Sequence, residues 1–115
     1  MKYTYYLIFS LTLGLFSCKT GSPEKTVTFK VWGNCEKCKS VVEASCAVDG
    51  VIEKDWKIES TLMTVTFDTT KISLERIQQL IANSGYDNDK FFGDDYAYYK
   101  LPDCCQYDRK PFELK

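Results

Sequence analysis

Apolar and polar residues begin to alternate at Thr26. In TVTFKVW, Val27, Phe29 and Val31 fall on one side of an extended chain and Thr28, Lys30 and Trp32 on the other. This period of two marks a half-buried strand. Gly33-Asn34 breaks it, with Asn34 the expected N-cap and Glu36 in the first helical turn. Cys38, Val41, Val42, Ser45 and Cys46 then recur at helical spacing and end at Asp49-Gly50. Two further extended runs follow, VIEKDWKI and LMTVTFD, joined by a short hairpin at EST. Ser73 is placed to cap a second helix, with Ile72 and Ile77 as its hydrophobic staple and Leu74, Ile77, Leu80 and Ile81 as its apolar face. Gly85 closes that helix, and YDNDKFF reads as a weak final strand.

The order βαββαβ defines an α+β, ferredoxin-like domain: an antiparallel sheet with two helices on one face, plus a short C-terminal extension. Ahead of it, a single Lys2 and an apolar run through Phe16 read as a secretory leader, too short for the roughly 20 residues of a membrane span. Leu15-Phe16-Ser17-Cys18 resembles a bacterial lipobox. That resemblance implies cleavage before Cys18 and lipidation there. Lys19 in place of Asp adds an expectation of an outer-membrane anchor facing the periplasm. The organisation expected is a leader over 1–17, a lipidated Cys18 and polar tether over 18–25, the domain over 26–92 and a tail over 93–115. The tether reaches about 25 Å at most.

Charge changes little in this picture. The net charge of −1 comes without a basic stripe, so no nucleic-acid partner is expected. Histidine matters more, because there is none. A Ser-His or Cys-His catalytic pair is therefore excluded, and so is the commonest nitrogen ligand for a metal. Six cysteines in 115 residues carry the remaining chemistry.

Cys35 and Cys38 sit where strand gives way to helix. Exposed N–H groups and the helix dipole favour an anion at that place, and Lys37 and Lys39 are expected to add positive charge. Each effect raises the thiolate fraction. Thiolates are soft ligands that select soft ions such as Cu(I). Two of them on a loop leave an ion open to exchange, unlike a closed structural site. The same spacing also suits a thiol-disulfide oxidoreductase, although Trp32 lies three residues before Cys35 and none of Pro23, Pro102 and Pro111 falls opposite the loop. A plain disulfide in a stapled interaction module is the third reading. Cys46, on the apolar stripe with Val42, reads as core.

Taken together, the strand, the Cys35-Glu36-Lys37-Cys38 loop, the helix, Gly50-Val51 and Gly85-Tyr86 resemble the heavy-metal-associated domain family. That family includes copper chaperones, the N-terminal domains of copper-pumping ATPases and the periplasmic mercury-binding protein. The resemblance covers about Thr26 to Phe92. It implies a non-enzymatic carrier that binds Cu(I), or Hg(II), Zn(II) or another soft ion, and exchanges it with a metal-transporting ATPase or another metal-binding protein. Where the family has Gly-Met-x-Cys this chain has Trp32-Gly33-Asn34-Cys35, so the packing Met is missing and a looser loop is expected.

Beyond Phe92, Asp94 or Asp95 is placed to cap a short helix ending before Pro102. Cys104 and Cys105 are adjacent, and a disulfide between them would be strained. They read as further soft-metal ligands beside Cys35 and Cys38, or as disulfide partners of those two. LPDCC resembles tails that follow such domains in bacterial lipoproteins. Asp87, Asp89, Asp94 and Asp95 lack the ordered spacing of a hard-cation loop and read as solvated acidic surface.

Overall fold

A computed structural model describes residues 23–112; the leader, Cys18 and most of the expected tether lie outside the described residues. Strand β1 (Glu24–Lys30) starts two residues ahead of the regular alternation, because Glu24 and Lys25 pair with Asp68 and Phe67. Helix α1 (Glu36–Ser45) leads to β2 (Val51–Lys57), β3 (Leu62–Asp68) and helix α2 (Leu74–Asn83). The sheet is antiparallel in the order β1-β3-β2. A short helix α3 (Asp95–Tyr99) and a 3-10 turn (Asp103–Cys105) complete the described chain.

The two sheet faces are as different as the alternation implied. Phe29, Val31, Met63, Val65, Phe67 and Trp56 join Cys38 and Val42 of α1 and Ile77 and Ile81 of α2 in one buried cluster, so both helices cover the same face. On the open face Thr26 hydrogen-bonds Thr66 at 2.8 Å and Thr28 hydrogen-bonds Thr64 at 3.0 Å, side chain to side chain across paired positions. Such cross-strand pairs fix the register, since a slip of one residue would turn the Thr ladder inward. Ser73 caps α2 as expected, its side chain accepting from the Arg76 N–H.

The fourth strand is reduced to a single antiparallel bridge, Val31 to Asn88. The cause lies in two side chains. Asn88 Oδ1 accepts from the N–H groups of Lys90 and Phe91, and Asp87 Oδ1 accepts from the Gly93 N–H. These bonds bend the chain back on itself, as Asx turns do, where a ladder would have run straight. Asp87 is also fully buried, which corrects the expectation that it belongs to a solvated acidic surface. Gly85, at φ +103°, lets the chain turn into this segment; a Cβ there would lie 2.8 Å from the backbone nitrogen of Tyr98.

Candidate metal site

The loop before α1 is shaped from beneath by Trp56. Its indole is fully buried and donates from Nε1 to Val31 O at 3.0 Å. A Cβ on Gly33 would sit 2.9 Å from that ring, so only glycine lets the loop lie against it. The indole thus fills the space under the loop, which was expected to be loose without the family's methionine. The cap differs from expectation too. Cys35, with extended φ −156° and ψ 173°, occupies the N-cap position. Asn34 turns instead to Cys38, its Oδ1 accepting from the thiol at 3.2 Å.

Three sulfurs meet at this helix start. Cys35 Sγ lies 3.4 Å from Cys38 Sγ and 3.4 Å from Cys105 Sγ, and all three lie within 4.8 Å of one another. Each is a free thiol, since a disulfide bond spans only about 2.04 Å. Four sulfurs at tetrahedral positions about 2.3 Å from an ion would stand about 3.8 Å apart. The two separations at Cys35 are within a few tenths of an ångström of that spacing. Cys38 and Cys105 are fully buried, and Cys35 alone of the three is partly open to solvent.

Cys104, expected beside Cys105 as a ligand, is exposed, with its sulfur 3.8 Å from Cys105 Sγ. It lies outside the group of three. Cys46 is buried in the core cluster, and burial pushes its thiol up to about 11. Cys18 lies outside the described residues.

The electrostatics of the trio are uneven. Burial works to raise the Cys35 pKa, but the backbone N–H of Cys38, the thiols of Cys105 and Cys38 and the N–H of Lys37 outweigh it and bring it to about 7. No amide of the first turn meets strict capping geometry to this side chain; those amides still face the sulfur and favour its anion. Burial, followed by the neighbouring thiols, drives Cys105 well above the ordinary thiol range. In the metal-free protein ionisation is therefore favoured at Cys35 and opposed at Cys105.

The lysines contribute differently from expectation. Lys39 is committed elsewhere: its Nζ reaches Glu43 at 2.7 Å, Asp55 at 3.0 Å and Trp56 O at 2.9 Å. Those two carboxylates raise its pKa and hold it charged, as a brace between α1 and β2. Backbone amides and the neighbouring thiols, not lysine charge, favour ionisation of Cys35.

Sequence reasoning missed what surrounds the trio on its third side. Tyr86 is fully buried, and its hydroxyl has no hydrogen-bond partner among the described residues; the thiols of Cys38 and Cys105 are its electrostatic neighbours. Tyr107 stacks on Tyr86 with ring centroids 5.3 Å apart, donates its O–H to Gly85 O and accepts from the Asp87 N–H. Arg109 closes on the buried Asp87 carboxylate, with Nη2 at 2.7 Å and Nε at 3.0 Å. Burial opposes the charge on Asp87, but Arg109 and the amides of Gly93 and Lys110 hold its carboxyl below the usual range. The opposite charges at 87 and 109 were visible in the chain, but nothing in their spacing joins them.

No family model matches the chain. Over 55 residues it is 33% identical to the copper chaperone CopZ of Staphylococcus aureus strain JH9, covering 47% of this chain and 81% of that protein. Among solved structures it resembles a CopZ metallochaperone, with TM-score 0.54, 30% identity and coverage of 56% of this chain and 98% of the other. It also resembles oxidized MerP from Ralstonia metallidurans CH34, with TM-score 0.54, 32% identity and coverage of 57% and 94%. The fold and the paired thiols at the start of α1 define a small metal-binding carrier domain, not an enzyme. The chain belongs to the heavy-metal-associated domain family. The 55 matched residues are too few to include both Cys35 and Cys105, which lie 70 positions apart.

Proposed function

We propose that this chain binds one Cu(I) ion through Cys35, Cys38 and Cys105 and passes it on, or sequesters it, in the periplasm. The observation that carries the reading is the convergence of three free thiols within 4.8 Å at a helix start. A site made only of sulfur favours Cu(I) and other soft ions over hard ones. Binding requires thiolates, so uptake releases the proton held on Cys105. Cys35, ionised and partly open, is the sulfur at which a partner's thiolate displaces the domain's own in stepwise ligand exchange. A metal-transporting ATPase or another metal-binding protein supplies that partner thiolate, and a lipid on Cys18 keeps the domain at the outer membrane.

Anaerobic purification from metal-supplemented cells, with mass spectrometry of the bound element, tests the reading. Wild type should carry one equivalent of copper and Cys35→Ser/Cys38→Ser none. The reading fails if no thiophilic element is retained, or if the double variant retains it equally. The same cells, labelled with fatty acid, should lose the label in Cys18→Ala. The lowered pKa of Cys35 also suits thiol-disulfide exchange. Reduction of insulin by the metal-free protein would favour that second reading.

A further inference from the structure

The third thiol reaches the site from a segment that makes no regular sheet contact with the domain. Cys105 sits in a 3-10 turn closed by its own N–H on Pro102 O. Its burial against Cys35 is secured from further along the chain. Two residues on, Tyr107 is fixed by its hydroxyl to Gly85 O at 2.7 Å and to the Asp87 N–H at 2.8 Å. Tyr98 packs edge-on to the Tyr107 ring, 5.1 Å between centroids, and donates its O–H to Tyr107 O. Four residues on from Cys105, Arg109 grips Asp87 and Gly93 O and lies 4.7 Å above the Tyr98 ring. The Lys110 N–H adds a bond to Asp87 Oδ2 at 2.8 Å.

Apart from Tyr98 of α3, these anchors fall on the loop 85–93, which follows α2 where a fourth strand would have been. The aromatic stack ends at Tyr86, whose unpaired buried hydroxyl adjoins Cys38 and Cys105. A buried polar group without a partner is destabilising, and a metal-bound sulfur on either neighbour could accept from it.

We propose that docking of the tail and capture of the ion are a single coupled equilibrium, in which Asp87, Arg109 and Tyr107 are positioning residues that hold Cys105 ready as the third ligand. This rests on the reading of the trio as the metal site. An ion bound to all three sulfurs ties residues 102–110 to the start of α1. Conversely, a tail that swings free leaves the Cys35–Cys38 pair alone, and the three-sulfur affinity falls in proportion to the fraction of molecules with Cys105 in place. By linkage, whatever loosens the tail promotes release, and the bound ion tightens the tail by the same factor.

The test joins Cu(I) affinity, measured by competition with a chromophoric chelator, to amide hydrogen exchange at Cys105, Tyr107 and Lys110 in the full reduced protein. In wild type, Cu(I) should slow exchange at these amides at least tenfold; in Cys105→Ser it should leave them unchanged. Arg109→Ala should weaken Cu(I) binding about tenfold and lower the sulfur coordination number seen by X-ray absorption from three to two. Asp87→Asn/Arg109→Ala, which leaves no lone buried charge, should do the same. In the Cys105→Ser background neither change should weaken binding further, an effect that general damage to the fold would not produce. Copper uptake with unchanged tail exchange in wild type, or equal losses from Arg109→Ala with and without Cys105, would overturn the coupling alone. Failure of wild type to take up Cu(I) would overturn the metal reading and the coupling with it.

Discussion

From β1 through α2 the buried side chains are Phe29, Val31, Cys38, Val42, Cys46, Trp56, Met63, Val65, Phe67, Ile77, Ile81 and Ala82, with Gln78 the polar member. After Gly85 they are Tyr86, Asp87, Asn88, Cys105 and Tyr107. The first set is held by removal of apolar surface from water, which is additive and indifferent to direction. The second shares that core through Tyr86, Cys105 and Tyr107 but is held in addition by a carboxylate shared among a guanidinium and two amides, and by hydroxyls aimed at single carbonyls. Such contacts depend steeply on geometry, and loss of one partner leaves the other buried and unpaired. The metal site draws a pair of thiols from the apolar half and one from the polar half. A site divided in this way has a rigid floor and a detachable wall.

The largest effect should come from breaking the floor. Trp56→Ala removes the indole that packs under Gly33 and its hydrogen bond to Val31 O. Large-to-small changes of this kind cost about 3–5 kcal/mol. Urea denaturation should show that loss for the whole molecule, and hydrogen exchange should quicken in both halves, since the tail has nothing to dock on without the floor. Trp56→Phe, which keeps a ring but loses the donor, should lose less. An unfolding midpoint in Trp56→Ala equal to wild type would show that the apolar half does not set global stability.

The difference between the halves also explains which of them was legible. Periodic burial writes a periodic sequence, so Val27-Phe29-Val31, Met63-Val65-Phe67 and the apolar faces of both helices could be read directly, together with the Ser73 cap. The thiol pair at the start of α1 followed from that frame. The polar half leaves no period. Asp87 and Arg109 lie 22 positions apart and meet only because Asp87 and Asn88 turn the chain where a strand was expected. Of two adjacent cysteines, sequence cannot say which faces inward; the 3-10 turn after Pro102 aims Cys105 at Cys35 and leaves Cys104 exposed. Lys39 was misjudged for a related reason, because its partners Asp55 and Trp56 O come from another strand.

A second contrast lies in proton affinity, between Cys35 at the junction and Cys46 in the core. The folded protein holds Cys35 at about 7 against an ordinary value of 9.0, and pushes Cys46 up to about 11. In reduced, metal-free protein, alkylation of Cys35 by iodoacetamide should rise through pH 7, while Cys46 stays unlabelled through pH 9. The linkage follows in sign. A lowered folded-state pKa means that the thiolate favours the folded state, so this contribution is fully present above about pH 9 and is lost as pH falls through about 7. Mass spectrometry of the labelled peptides checks the first part and urea midpoints at pH 6 and 9 the second. A Cys35 labelling midpoint near 9 would remove the amides of α1 and the neighbouring thiols as causes.

The smallest effects should separate the halves most cleanly, because the same device occurs once in each. Ser73 accepts from the Arg76 N–H at 3.0 Å to cap α2, and Asp94 accepts from the Ala97 N–H at 2.9 Å to cap α3. Replacing either by Ala should cost about 1 kcal/mol. Helix α2 buries Ile77 and Ile81 in the common core, so its loss is felt only when the whole domain unfolds. Ser73→Ala should therefore lower the urea midpoint. Helix α3 has no fully buried residue, and it reaches the domain mainly through Tyr98, the Asp94 N–H on Ala82 O and the bond from Arg109 to Asp95. Its opening is a local event. Asp94→Ala should quicken exchange at the Tyr98 and Lys100 amides severalfold and leave the urea midpoint unchanged. If Asp94→Ala instead moves the midpoint as far as Ser73→Ala does, the tail unfolds together with the domain, and the wall of the site is no more detachable than its floor.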